Sequence, residues 1–295
     1  MSTVRELLVE ATELLSELET PFLDATLILA HTLGVSREKI LASYPEEIPL
    51  SAEHEFRSYL EKRRSGYPVS YIRQKKEFFG LPFYVDERVM VPRPETETLV
   101  ELVLQDVETK LASQPRSMES SGAAGGGTAI LDLGTGSGCI AISLKYLRPE
   151  LEVHAADVSK SALAVCRQNS RHLLCDPLPL IESDFFSNIQ GHYDIIVSNP
   201  PYVKNSEVAQ MQQRRWPEPL QALDGGDDGL DSIRLIIEEA YDFLKPGGAL
   251  FLETGIDQIQ EVKDLLSHRG YRNAQAYQDL SGRDRVVSGR KTHVE

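Results

Sequence analysis

From Ala129 to Gly289 short apolar runs alternate with amphipathic stretches, and this alternation limits the possible folds more than any single residue does. The pattern predicts strands at 129–133, 151–156, 178–183, 195–198, 249–253, 272–277 and 284–289. Helices are expected at 139–146, 161–173, 230–244 and 259–268, the third of them ended by Lys245-Pro246-Gly247-Gly248. Strand–helix alternation with apolar strands argues a mostly parallel, doubly wound sheet covered on both faces. The last two strands have no helix between them and should pair as a hairpin, so one of them runs antiparallel. The expected class is α/β with seven strands.

The N-terminal third reads differently. Val4, Leu7, Leu8, Ala11, Leu14, Leu15 and Leu18 form one apolar stripe, which predicts a helix over 4–18. Thr20 and Pro21 fit an N-cap and first helical position of a second helix, which Gly34 would stop. Ser36 is expected to cap a third helix, and Ser51 a fourth that carries Phe56, Tyr59 and Leu60. These predict a small all-α bundle over 1–70. It holds no constellation of catalytic residue types, so it reads as a substrate-recognition module, with a structural cap as the alternative. Aromatic and β-branched residues around Gly80 and Pro82 predict a hairpin within a connector over 71–93. The main domain is expected over 94–295, opening with a helix from Pro94 to about Ala112. Residues 113–127, rich in Ser, Gly and Ala without apolar period, read as a flexible surface loop.

Composition excludes several function classes. The first thirty residues are acidic and periodic, so no signal peptide is expected, and no apolar run is long enough for a membrane helix. Cys139, Cys166 and Cys175 show no paired spacing, which points to free thiols in a reducing cytoplasm and to no metal site. A formal charge of −14 weighs against a nucleic-acid duplex as partner, since phosphate binding needs clustered Lys and Arg.

Four groups at successive strand ends carry the chemistry. Asp132-Leu133-Gly134-Thr135-Gly136-Ser137-Gly138 lies between a strand and a helix, where glycines permit a tight turn and close approach of a ligand to the backbone. No Gly-Lys-Ser/Thr follows, which excludes a P-loop, and Cys139 stands where a dinucleotide fingerprint wants its third glycine. Asp157 ends the second strand and can accept both hydroxyls of a ribose. Asp184 and Phe185 follow the third strand: a carboxylate for an exocyclic amine, and a ring to pack on adenine. After the fourth strand, Asn199-Pro200-Pro201-Tyr202 sets carbonyl acceptors beside two stiff prolines and a flat ring, a receptor for a planar NH₂ group. Ligands of such sheets bind at this carboxyl edge.

These motifs resemble those of class I S-adenosylmethionine-dependent methyltransferases that act on amino groups. The Asn-Pro-Pro-Tyr form occurs in adenine-N6 DNA methyltransferases and in glutamine-amide methyltransferases. Further segments narrow the resemblance to the release-factor glutamine methyltransferase family. They are Pro68-Val69-Ser70-Tyr71-Ile72, Phe78-Phe79-Gly80, and Val91-Pro92-Arg93-Pro94-Glu95-Thr96-Glu97. Downstream come Glu218-Pro219-Leu220-Gln221-Ala222-Leu223, Gly225-Gly226, Asp228-Gly229-Leu230-Asp231 and Gly282-Arg283-Asp284-Arg285-Val286-Val287. The resemblance covers almost the whole chain. Gln74 stands where the family usually has glycine, and Phe185 where tryptophan is frequent.

The resemblance implies methyl transfer from S-adenosyl-L-methionine, leaving S-adenosyl-L-homocysteine, to the glutamine of the Gly-Gly-Gln motif in bacterial class I peptide release factors. It implies Gly134, Thr135, Gly136, Ser137, Gly138, Asp157, Asp184, Phe185 and Asn199 at the cofactor. Asn199, Pro200, Pro201 and Tyr202 are implied at the acceptor amide. A cytoplasmic monomer without metal, membrane or direct nucleic-acid contact is expected. Three rivals stand beside this reading. A DNA adenine methyltransferase would share the tetrapeptide but needs a basic face and a target-recognition region. An NAD-linked oxidoreductase would share Asp157 and leave Asn199–Tyr202 without a role. The third is a non-enzymatic binding module that kept the fold.

Overall fold

The computed structural model describes residues 2–113 and 127–292. The chain divides into two compact units, Met1–Lys75 with Arg215–Pro217, and Lys76–Arg214 with Glu218–Glu295.

The first unit is helical: α1 (Val4–Leu14), α2 (Pro21–Leu33), α3 (Arg37–Ala42), α4 (Leu50–Arg64) and the single turn α5 (Val69–Ile72). A capping box opens α1, with Thr3 accepting from the Glu6 amide and the Glu6 side chain returning to the Thr3 amide. The apolar stripe runs on through Leu15 and Leu18, yet α1 ends at Leu14, because 15–18 closes as a turn with Leu18 N–H on Leu15 C=O. Gly34 ends α2 in the left-handed conformation, φ 64°, as expected of a glycine C-cap. The Thr20 hydroxyl bonds Asp24 rather than a backbone amide. Ser51 is not a cap: α4 starts at Leu50 behind Pro49, which places Ser51 inside the first turn. Leu7, Ala11, Ile28, Leu29, Ile40, Phe56 and Leu60 fill the core, each large side chain contributing about 1.5–3 kcal/mol by burial. Gln74 has φ 50°, so the glycine-like turn of its segment is kept without a glycine.

The second unit carries the sheet. Its elements are β1 (Lys76–Phe78), β2 (Leu81–Phe83), α6 (Glu97–Ser113), β3 (Ala129–Leu133), α7 (Cys139–Leu147), β4 (Glu152–Asp157), α8 (Lys160–Leu173) and β5 (Leu180–Glu182). They continue with β6 (Tyr193–Ser198), α9 (Asn205–Gln213), α10 (Asp231–Phe243), β7 (Leu244–Glu253), α11 (Ile259–Arg269), β8 (Arg272–Gln278) and β9 (Asp284–Arg290). β1 and β2 form the expected hairpin, and it packs with this unit; Phe79 and Gly80 both take positive φ, as a two-residue hairpin turn requires.

The main sheet has the order β5-β4-β3-β6-β7-β9-β8, and β9 alone is antiparallel to its neighbours. One face packs Leu99, Val103, Ile142 and Leu144, the other Ile233, Ile236, Ile237 and Val262, so the sheet is covered on both sides. Lys245–Gly248 does not end a helix as a turn. It lies within β7, whose register with β6 shifts between Tyr193 and Ile195, and Lys245 reaches Asp194 at 2.7 Å. α9 has no counterpart in the sequence reading, since its apolar pattern is sparse and only Val208 is buried. Apart from its end residues, the loop expected at 113–127 lies outside the described residues. Among the described residues no helix is long and apolar enough to cross a membrane, and no His, Cys, Asp or Glu cluster is arranged to hold a metal ion.

Candidate active site

The carboxyl ends of β3, β4, β5 and β6 border a cavity of about 320 Å³ within the second unit. Its floor is the turn after β3. Gly134 and Thr135 N–H both donate to Ala156 C=O at 2.9 Å, which ties the turn to the end of β4. Gly134, Gly136 and Gly138 take φ of 73°, 56° and 85°, where a side chain is strained. A Cβ on Gly136 would meet nothing within 4 Å, so its backbone is open to a ligand. On Gly138 it would lie 2.6 Å from Ile142 and 2.7 Å from the Cys166 sulfur. Gly134, Thr135, Gly136 and Ser137 line the cavity; Gly138 does not, and serves the close packing of α7. Below the turn, buried Asp132 accepts from Thr135 Oγ1 at 2.6 Å and from Ala141 N–H at 3.1 Å. Burial pushes its carboxyl up to about 7, against those two hydrogen bonds.

Asp157 is held from both sides: Oδ2 accepts from Gly136 N–H and Oδ1 from Ser159 N–H, each at 2.8 Å. Burial raises its pKa and the amides oppose that rise. Each oxygen retains a lone pair, so a vicinal diol can be accepted without disturbing the turn. Asp184 and Phe185 both line the cavity. Phe185 sits at φ 44°, with its carbonyl held by Ser183 Oγ at 2.7 Å, which fixes where the ring stands.

Ser198 Oγ ties the end of β6 to Leu133 C=O at 2.6 Å. Asn199, Pro200 and Pro201 follow and line the cavity. Asn199 Nδ2 donates to Thr96 Oγ1 at 3.1 Å, which leaves Oδ1 of the same amide available as an acceptor. Tyr202 departs from expectation. It is not among the lining residues; its hydroxyl donates to buried Glu253 Oε1 at 3.1 Å, and its ring packs against the core. Burial and the adjacent Glu253 raise the phenol's pKa. The Tyr202 carbonyl accepts from Gln258 Nε2 at 3.1 Å, and the same amide group donates to Gly229 C=O at 3.1 Å. Tyr202 therefore braces the tetrapeptide from behind.

Sequence reasoning missed the opposite wall, made in part by Arg88, Met90, Pro92, Thr96 and Gln221. Its signal lay in motifs that carried a resemblance but no assigned role. Buried Glu218 accepts from Val91 N–H at 2.8 Å and pairs with the Arg93 guanidinium, so Val91–Arg93 and Glu218–Pro219 form one clamp. Pro92 and Pro219 from the two segments both face the cavity. The glycine-rich segment 225–229 packs on the chain after Tyr202: Asn205 N–H donates to Gly226 C=O and Gly225 N–H to Val203 C=O. A Cβ on Gly229 would lie 2.4 Å from the Tyr202 carbonyl oxygen.

An open glycine backbone, a carboxylate for a diol, and an acid beside an aromatic ring fit a nucleoside. Carbonyl-type acceptors fixed beside it fit an NH₂ group. Comparison with known proteins agrees with this pairing. Residues 6–73 match the PrmC N-terminal domain family and residues 119–216 the Methyltransferase small domain family. The chain is 38% identical to a release factor glutamine methyltransferase of Moorella thermoacetica, over 96% of both chains. It is 36% identical to a release factor glutamine methyltransferase of Burkholderia pseudomallei, over 98% of this chain and 99% of that one. Among solved structures, the hMettl16 catalytic domain in complex with a MAT2A 3'UTR hairpin superposes with a TM-score of 0.55 over 74% of this chain and 77% of that one. At 14% identity it supports the fold alone.

Proposed function

The chain belongs to the release factor glutamine methyltransferase family, and from that premise we propose that it methylates the side-chain amide nitrogen of the glutamine in the Gly-Gly-Gln motif of class I peptide release factors. The observation that carries this reading is Asn199 on the cavity wall, with its amide nitrogen engaged by Thr96 and its oxygen left to accept.

S-adenosyl-L-methionine, when bound, supplies an electrophilic methyl group and leaves as S-adenosyl-L-homocysteine. Asp157 accepts the ribose hydroxyls, Asp184 and Phe185 take the adenine, and the backbone at Gly134–Ser137 packs against the donor. A glutamine amide nitrogen is a poor nucleophile because its lone pair is delocalised into the carbonyl. Asn199 Oδ1 and the Pro200 carbonyl accept its two N–H bonds. That orients the nitrogen and favours the pyramidal geometry of the transition state. The stiff Pro200-Pro201 pair, braced through Tyr202, holds both acceptors in place. No general base is required before transfer, since the methylated nitrogen can release its proton afterwards. The enzyme acts as a monomer in the cytoplasm, where release factors work.

The test is mass spectrometry of a purified release factor after incubation with the protein and S-adenosyl-L-methionine. A gain of one methylene on the Gly-Gly-Gln peptide, absent with Asn199→Ala, supports the reaction and the site together. Cofactor binding without that gain overturns the substrate assignment.

A further inference from the structure

The groups behind Asn199 form a hydrogen-bond path with a direction. Asn199 Nδ2 donates to Thr96 Oγ1, so the Thr96 oxygen acts as acceptor and its own proton is left for another partner. Glu253, only 1% exposed at the end of β7, accepts from the Tyr202 hydroxyl through Oε1. Its other oxygen, Oε2, is buried with no hydrogen-bond partner. Thr96 is itself 2% exposed. Its hydroxyl is the strongest influence opposing the burial that raises the Glu253 pKa; Tyr202 and Arg285 also lower it, and Glu95 raises it. An ionised carboxylate offers acceptors only, so it draws the Thr96 proton toward itself. Thr96 can then present only a lone pair to Asn199.

A primary amide can sit either way round, and the hydroxyl beside it decides which end it sees. We propose that Glu253 is a positioning residue for methyl transfer: through Thr96 it holds the Asn199 amide with its oxygen toward the acceptor glutamine. The inference rests on the reading of Asn199 given above. A neutral group in place of the carboxylate frees the Thr96 hydroxyl to donate to Asn199 Oδ1. The amide then turns its NH₂ toward the substrate's own NH₂, and two donors meet where a donor and an acceptor are needed.

The test uses the full-length protein with a purified release factor at saturating S-adenosyl-L-methionine. Glu253→Gln, nearly equal in shape, should lower kcat about 10–100-fold, the usual scale for groups that orient an active residue, while the dissociation constant of the cofactor stays unchanged. Thr96→Val should do the same, and Thr96→Ser, which keeps the hydroxyl, should recover most of that loss. The pH profile separates this from a structural role. Because the ionised form is the active one and burial raises its pKa, wild-type kcat should fall toward acid at a pH above the ordinary glutamate range. Glu253→Gln should lack that limb. A Glu253→Gln protein that turns over as fast as wild type with the same acid limb overturns the inference alone. A wild-type protein that binds cofactor and leaves the glutamine unmodified overturns the proposed function and this inference with it. Thermal unfolding and cofactor binding of each variant exclude misfolding as the cause.

Discussion

The two halves of the cavity are held by different means. The nucleoside side, Gly134–Gly138 with Asp157, is fixed by neighbours in the fold: backbone amides on the Ala156 carbonyl and on the Asp157 carboxylate. The transfer side, Asn199–Tyr202, is fixed by side chains distant in sequence: Thr96, Glu253 and Gln258. A turn made of backbone bonds tolerates change in its surroundings and fails when its own glycines change. A tetrapeptide supported by remote side chains fails when any one support is lost. The difference predicts a separation in kinetics, with nucleoside-side substitutions acting on cofactor affinity and transfer-side ones on turnover.

The largest expected effect is that of Asn199→Ala. Removing one preorganised hydrogen-bonding group from a reacting centre costs about 10²–10³-fold in kcat, while calorimetric affinity for S-adenosyl-L-methionine should change little. Comparable losses in both would mean that Asn199 serves the cofactor as much as the acceptor, and the separation would break there.

Asp157→Ala tests the other side. Loss of hydrogen bonds to a charged group costs about 1.5–3 kcal/mol, which corresponds to a KM for S-adenosyl-L-methionine raised about 10–100-fold. At saturating cofactor the rate should return to near the wild-type value. A rate that stays low under saturation would show that the ribose contact also sets the position of the methyl group.

Gly138→Ala should cost about 1–3 kcal/mol of stability from overpacking. The new Cβ points at Ile142 and Cys166, in a backbone conformation that already disfavours a side chain. Chemical denaturation measures this directly. Because Gly138 does not line the cavity, affinity should fall only as far as the turn itself is displaced.

The same contrast explains what could be read before the structure. The sheet and the nucleoside side were legible because their determinants are local: apolar runs of strand length, glycines at positive φ, and acids at strand ends. The seven strands and the antiparallel β9 follow from spacing alone. Thr96 and Glu253 were not legible, since 157 residues separate them and each looks like an ordinary helix-start or strand-end residue. Glu218 was visible as part of a motif but not as the acceptor of Val91 N–H, a contact across 127 positions. Tyr202 was read as a flat face for the substrate because its neighbours in sequence are catalytic in type. The buried Glu253 carboxylate redirects its hydroxyl, and the core takes its ring. Boundaries erred where pairing overrode pattern, as at Lys245–Gly248 in β7.

The smallest effect offers the sharpest test. Gln258 lies outside the cavity lining, and its Nε2 holds the Tyr202 and Gly229 carbonyls while Oε1 takes the Gly255 amide. Gln258→Met fills a similar volume without these bonds, which costs about 1 kcal/mol of net stability. If the transfer side depends on remote support, part of that loss should appear as a reduction in kcat of a few-fold, with cofactor affinity intact. If the tetrapeptide were self-supporting through its two prolines, the same substitution would lower the denaturation midpoint and leave kcat untouched. The stiffness of Pro200-Pro201 fixes φ at two positions, but the placement of the whole segment on the cavity wall still depends on where the Tyr202 carbonyl is held. A kcat effect from a residue behind the wall is therefore what distinguishes a braced site from a rigid one.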